Sequence, residues 1–393
     1  MISKYMKSLF VFGFVFLILN GCSLMAEKKE SPNMQKIDAV IEAIKDDNLP
    51  KVSQLLKAKV DLNKPNIDGE FPLHMAVSMG NLDIAKLLLQ HGANLNFQDQ
   101  FGVTPLMMAV DNPNFDYDTQ RYQSNGRDLV PWLLQQGARV DLMDNRGQSV
   151  LWYAIRSNDS TQIQKILAKK VNVNQVDLKG SRPIFAALET HQLSVIDTLV
   201  KAKADLKQKN DYGQTPLAWC YYHQEIDLFR YFLKQKDVQT IDPNGKPLIF
   251  QAIRDGQFPF FQAMLVNKQL LNIKNDYQGT PLMYAAENNR LQMVDALLQA
   301  GVNVNEVDRE GETALSHAVR YGRKEVVKKL LTVGANALMK DVAGEDILKE
   351  LGEHGYKPVD PELRQIITQA IEKQKKEGMK QPIPQKGKNM IKK

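Results

Sequence analysis

The sequence predicts an all-α repeat protein, a solenoid of about ten helix-turn-helix units with β-hairpin or turn connections. Three observations point there: the length of the chain, a set of short words that recur along it, and the near-constant interval between them. At 393 residues the chain exceeds what one hydrophobic core usually serves, so it must divide into domains or extend as an array. With 43% hydrophobic and 24% charged residues, the composition is that of a folded protein. It excludes both a disordered chain and one built of membrane spans.

The segment Gly69-Glu-Phe-Pro-Leu-His-Met-Ala76 is followed by Gly80-Asn-Leu-Asp83, then Leu87-Leu-Leu89, then Gly92-Ala-Asn-Leu-Asn96. The same words return as Gly213-Gln-Thr-Pro-Leu217, Gly279-Thr-Pro-Leu282 and Gly311-Glu-Thr-Ala-Leu315, and as Gly137-Ala-Arg-Val-Asp141, Gly301-Val-Asn-Val-Asn305 and Gly334-Ala-Asn336. One small residue serves as a ruler: Ala43, Ala76, Ala109, Ala154, Ala187, Cys220, Ala252, Ala285, Ala318 and finally Leu351, at spacings of 33, 33, 45, 33, 33, 32, 33, 33 and 33. Period and wording together resemble the ankyrin repeat, with its Gly-x-Thr-Pro-Leu-His signature. The resemblance covers residues 36–371.

Each word has a physical task. Thr before Pro opens a helix, because the hydroxyl can cap a free N–H and Pro loses no hydrogen bond in the first turn. The small ruler residue lets neighbouring helices approach. Gly80 and Gly256 turn the chain between the two helices of a unit, and Leu88-Leu89, Leu133-Leu134, Leu297-Leu298 and Leu330-Leu331 form the apolar face of the second helix. Gly92, Gly137, Gly301 and Gly334 then end that helix in the left-handed conformation. Ala-Asn-x-Asn leads into a hairpin with Asp or Asn and Gly near its tip. One unit cannot bury its own apolar face, so stability must come from stacking.

From the N-terminus, Lys4 and Lys7 precede the apolar run Leu9 to Leu19. Eleven residues are too few for a bilayer span, which needs about 20. The pattern is that of a secretory signal over residues 1–21. Leu19-Asn-Gly-Cys22 resembles the lipobox of bacterial lipoproteins, which implies a mature chain beginning at Cys22 with acyl chains on its sulfur and amino group. Two or more chains anchor stably where one does not. Ser23 resembles the class sorted to the outer membrane, facing the periplasm, with the inner membrane as the alternative. Residues 22–35 read as a flexible tether. Caps are expected at 36–68 and 341–371, because terminal units meet water on one face. The final cap contains Pro358 and Pro361.

The 45-residue step marks an insertion at 112–125, between the helices of the third unit. Insertions in repeats map to loops on one face, and Phe115, Tyr117, Arg121 and Tyr122 are residue types that anchor interfaces. The Asn112-x-Asn114-x-Asp116-x-Asp118 alternation lacks the Gly and closing Glu of a calcium loop.

Charge is distributed unevenly. The segment 373–393 carries +7 and the two early Lys carry +2, so against a net +6 the remaining body is at −3. A nucleic-acid-binding body would show a basic face, and no nucleic-acid partner is expected. The basic tail, 372–393, reads as disordered, suited either to contact anionic lipid or to solubilise. Cys220 stands where other units place Ala, so a reduced core thiol is expected. The histidines, His74, His91, His191, His223, His317 and His354, show no Cys or carboxylate at metal-ligand spacing. His74 fits a structural hydrogen-bonding role. No nucleophile elbow, phosphate loop or His-Glu-x-x-His motif is present. No catalysis, cofactor or metal ion is expected.

The resemblance implies instead a protein partner on a concave surface of hairpin tips and first helices. Carried over by position, its contacts are Phe101, Asn145, Arg146, Lys179, Tyr212, Tyr222, Tyr277, Arg309, Arg320 and Tyr321. Tyr and Arg anchor interfaces well. The chain itself is expected to be a monomer. Three roles compete: an immunity or inhibitor protein for a secreted toxin, by similarity in layout to ankyrin lipoproteins of that kind; a scaffold or assembly factor for an envelope complex; and, ranked last, an enzyme or a lipid carrier. Cys22→Ala is expected to move the protein from the membrane to the soluble fraction, and continued membrane association at alkaline pH and high salt would reject the lipoprotein assignment.

Overall fold

The computed structural model describes residues 32–111, 115–116, 121–122, 129–236, 238–351 and 360–378. The expected signal peptide, Cys22, Tyr117, His354, Pro358 and the end of the basic tail lie outside the described residues. The chain divides into two compact units, one running to Leu178 and the other from Lys179.

The first unit is a succession of helix pairs: α1 (Pro32–Lys45) with α2 (Leu49–Leu56), α3 (Pro72–Ser78) with α4 (Leu82–Gln90), α5 (Pro105–Asp111) with α6 (Leu129–Gln135), and α7 (Val150–Ser157) with α8 (Ser160–Leu167). The second continues with α9 (Pro183–Glu189) and α10 (Leu193–Lys201), α11 (Pro216–Tyr222) and α12 (Ile226–Leu233), α13 (Leu248–Asp255) and α14 (Phe258–Met264). After a short α15 (Lys268–Leu271) come α16 (Pro281–Glu287) and α17 (Leu291–Gln299), then α18 (Ala314–Arg320) and α19 (Lys324–Thr332). A 3-10 turn (Lys349–Leu351) and α20 (Pro361–Lys376) close the unit. The all-α repeat architecture is the one the words predict. Its connections are tight turns, three of them closed by single antiparallel bridges, such as Met143 with Ser149.

The words perform their tasks. Thr104, Thr215, Thr280 and Thr313 accept the backbone N–H three residues on, at 3.2–3.3 Å, satisfying donors that a helix start leaves free. Ala43, Ala76, Ala154, Ala187, Cys220, Ala252, Ala285 and Ala318 are all fully buried. Cys220 is a free thiol whose ionisation burial pushes far up. Leu88, Leu133, Leu297 and Leu330 have no exposed surface. In Ala-Asn-x-Asn the first Asn closes a local turn, Asn94 Oδ1 accepting from Asn96 N at 2.9 Å. The second reaches the next repeat: Asn63 Oδ1 accepts from Asn94 N at 2.7 Å, and Asn305 Oδ1 from Asn336 N at 2.8 Å.

The structure departs from the sequence reading at both ends and at the insertion. Helix α1 begins at Pro32, inside the expected tether, because Pro suits a first turn and Asn33 is pinned by a hydrogen bond from Asp61 N at 3.2 Å. At Leu351 in the final cap the described residues form a 3-10 turn, Lys349–Leu351. Helix α20 runs five residues past 371, into the expected tail. Its buried ladder Leu363, Ile367, Ile371 is completed by Gln374, also buried, whose amide donates to Ala335 O and accepts from Ala337 N, both at 2.8 Å. Lys375 and Lys376 are therefore the end of a docked helix. In the insertion, β1 (Phe115–Asp116) and β2 (Arg121–Tyr122) pair antiparallel, with Phe115 opposite Tyr122.

Two outcomes are expected from the first unit. Gly102 has φ +77°, and a Cβ there would lie 2.9 Å from Asn145 N and Asp144 Cα of the following repeat. Gly92 has φ +92° with open space around it. Gly102→Ala should cost about 2–4 kcal/mol, from left-handed strain plus overpacking, and Gly92→Ala only about 1–2 kcal/mol. Equal losses in urea denaturation would reject close backbone apposition as the constraint. His74 is buried, with Nε2–H donating to Val103 O at 3.0 Å. Burial outweighs that bond and holds its pKa below the ordinary 6.5. The unfolded chain then binds the proton more readily, so stability present above pH 6.5 is lost as pH falls below it. His74→Gln should flatten that acid slope, and an unchanged slope would place the sensitivity elsewhere.

Candidate protein-interaction surface

Each hairpin is organised by one Asn or Asp whose side chain folds back on the tip. Asp99 Oδ1 accepts from Phe101 N and Val103 N, both at 2.8 Å. Asp144 Oδ1 accepts from Arg146 N at 2.8 Å and Gln148 N at 2.9 Å. In the second unit Asn210 serves Tyr212 and Gln214, Asn275 serves Tyr277 and Gly279, and Asp308 serves Glu310 and Glu312. Asn66, Asp144, Asp177 and Asp242 are themselves buried, so the paired acceptance spares both partners an unsatisfied group. Neighbouring tips join through the backbone: Asn145 N donates to Phe101 O at 2.9 Å and Leu178 N to Arg146 O at 2.8 Å, and in the second unit Arg309 N donates to Tyr277 O at 3.1 Å.

This geometry turns outward the residue two places after the Asx. Phe101, Arg146, Lys179, Tyr212 and Tyr277 all hold that place and all are exposed. Tyr212 is 81% and Tyr277 71% accessible. Arg309 stands one place after its Asx, and its guanidinium donates to Asp276 O at 2.9 Å. Part of its capacity thus goes to joining tips rather than facing outward.

In the second unit, tips and first helices enclose two clefts of the same construction. One, of about 450 Å³, is lined by Tyr212, Phe185, Glu189, His191, Trp219 and His223 among others. The Trp219 and His223 rings stack at 3.9 Å and 12°. The other, of about 430 Å³, is lined by Tyr277, Phe250, Gln251, Arg254, Lys246 and Tyr284 among others. Tyr222 ends α11 at 38% accessible, and Tyr321 follows α18 at 44%. Burial raises both phenol pKa values above the ordinary 10.0, with help from Asp242 for Tyr222 and from Glu287 for Tyr321. Both remain neutral hydrogen-bonding groups at neutral pH.

Phe101 and Arg146 belong to the first unit, with the Phe115–Tyr122 strand pair, whose backbone alone is described. Lys179, Tyr212, Tyr222, Tyr277, Arg309 and Tyr321 belong to the second, where the clefts add Trp219 and Tyr284. Sequence reasoning missed those two, yet a signal existed. They stand nine places after the tip Asx, as does Tyr153, whose hydroxyl donates to Asp144 Oδ2 at 2.8 Å.

The same place holds His317, around which the fold gathers carboxylates that linear spacing does not announce. Its Nε2 lies 3.0 Å from Asp308 Oδ2 and 3.6 Å from Glu312 Oε2, while Nδ1 lies 3.6 Å from Glu287 Oε2. Burial disfavours the imidazolium, but the hydrogen bonds to Asp308 and Glu287 more than offset this and raise its pKa to about 9. The hairpin and the preceding helix bring together carboxylates whose linear spacing matches no metal motif.

Among the described residues no helix is long and apolar enough to cross a membrane. The family model for ankyrin repeats (3 copies) matches residues 40–118, 120–210, 165–246 and 249–341. Rabankyrin-5 of Mus musculus is 25% identical over 167 residues, covering 34% of this chain and 14% of its own length. An ankyrin repeat protein of Acanthamoeba polyphaga mimivirus is 20% identical over 274 residues, 67% of this chain and 30% of its own. The NF-kappa-B inhibitor cactus of Drosophila yakuba is 32% identical over 124 residues, 30% of this chain and 23% of its own. The chain spans less than a third of each of these relatives.

Proposed function

Because this chain belongs to the ankyrin-repeat family, we propose that it is a membrane-anchored binding protein of the bacterial envelope that captures and blocks a secreted toxin. As a member of that family it is a protein–protein interaction module. The finer reading is supported chiefly by the row of exposed Tyr212, Tyr222, Tyr277 and Tyr321 on the tips and first helices of the second unit. Tyr brings a large amphipathic surface at a small entropic cost, and such side chains over partly desolvated clefts are where binding energy concentrates. Two further features support it. The lipobox-like Leu19-Asn-Gly-Cys22 would fix the protein at a membrane and raise its effective concentration there. One relative carries the name of an inhibitor.

The test is capture by the lipid-free mature chain from detergent-solubilised envelopes and culture fluid of the source bacterium. One secreted lytic protein, bound stoichiometrically and losing activity on binding, is the expected result. Recovery of a resident envelope complex would reject the antagonist role in favour of a scaffold. Tyr212, Tyr277 and Tyr321 changed together to Ala should weaken capture at least ~100-fold, the scale of central anchors. Stability should move by no more than about 0.5 kcal/mol per site, as for exposed positions. Intact capture would move the binding face elsewhere.

A further inference from the structure

The group around His317 has more carboxylate than its cations answer. Asp308 and Glu312 sit on the hairpin, His317 and Arg320 on α18, and Glu287 at the end of α16. Among the described residues three carboxylates therefore meet one permanent cation, Arg320, which is paired with Glu312 Oε1. Glu312 is only 5% accessible, and its Oε2 is buried without a hydrogen-bond partner. An unpartnered buried carboxylate oxygen is costly, and this one is aimed at the His317 ring.

We propose that Asp308, Glu312 and His317 form a binding site for one divalent transition-metal cation of the zinc class. One ligand atom from each lies within 4.8 Å of the others. The separations of 3.0 and 3.6 Å from Nε2 to the two carboxylates match the roughly 3–4 Å between ligands that share an ion at about 2.0–2.2 Å. The second oxygen of each carboxylate is already engaged, while His317 Nδ1 is buried without a hydrogen bond. Asp308 Oδ1 accepts from Glu310 N and Glu312 N at 2.9 Å. Glu312 Oε1 takes Arg320, and His317 Nδ1 faces Glu287. Glu287 stands where a carboxylate can take up the Nδ1 proton and orient the imidazole once Nε2 holds a metal, and Oδ2, Oε2 and Nε2 are left converging. An imidazole among oxygen ligands favours zinc-like ions over Mg²⁺ or Ca²⁺. The alternative occupant is a proton on His317. A cation there would clamp the hairpin of residues 308–312 onto α18, beside the Arg309 N–Tyr277 O contact that joins two tips.

The full chain, stripped with EDTA and exchanged into metal-free buffer at pH 7.5, is titrated with Zn²⁺ alone and with Mg²⁺ alone. Bound metal is read by elemental analysis and thermal unfolding is followed in parallel. One Zn²⁺ per chain, with an EDTA-reversible rise in Tm and no response to Mg²⁺, is expected. Glu312→Gln and His317→Gln should lose that equivalent. Glu287→Gln, at a part-exposed position outside the ligand set, should keep the fold and weaken binding about 10–100-fold. Absence of saturable zinc uptake would show that the cluster holds a proton only. Uptake unchanged in folded Glu312→Gln would assign the ion to other groups, such as His191 and Glu225, 3.1 Å apart. Either result overturns the proposal.

Discussion

In each hairpin the chain must reverse within a few residues while its backbone approaches that of the next repeat, and it can do so only if the polar groups brought inside find partners. The tip Asn or Asp supplies them. Its Oδ1 takes two backbone N–H groups, as Asp144 does from Arg146 and Gln148. The tip Gly that follows leaves room for the backbone of the neighbouring tip, which lies so close at Gly102 that no Cβ fits. With the tip closed this way, the Asn145 N–Phe101 O bond can form, and the helices behind it meet at the spacing their Ala residues allow. Stacking apolar faces supplies most of the energy of such an array, but the tip sets the register at which the faces meet.

The same constraint separates structural from functional work within a few residues. The Asx and the Gly are committed to the turn. The residue between them, Phe101, Arg146, Tyr212 or Tyr277, keeps its side chain exposed at the tip. Nine places after the Asx, the first helix returns a side chain to the tip, and the array uses that place in different ways. Tyr153 completes Asp144. Trp219 and Tyr284 line clefts beside Tyr212 and Tyr277. His317 draws a set of carboxylates around itself. One register position thus passes from structural support to interface chemistry along the chain.

The irregular places also have physical causes. Gln278, not Gly, occupies the left-handed tip position after Asn275, at φ +63°. This costs on the order of 1–2 kcal/mol, offset there by the Asn275 hydrogen bonds to Tyr277 N and Gly279 N. The last repeat carries a 3-10 turn at Lys349–Leu351, and the Gln374 amide ties α20 to it by donating to Ala335 O and accepting from Ala337 N.

The sequence by itself determined the unit and its repetition. Thr-Pro openings, ruler alanines, helix-ending glycines and Asn pairs act within one or two turns of chain, and a 33-residue interval repeats them faithfully enough to be read linearly. It also marked the outward tip residues, because their position follows from the turn alone. Only the tertiary structure decided what depends on distance between repeats. It set the extent of the caps at Pro32 and Lys376, the clefts that add Trp219 and Tyr284 to the tyrosine row, and the meeting of Glu287 with Asp308, Glu312 and His317. Those residues lie on separate elements, and no linear spacing records that stacking brings them within a few ångströms of one another.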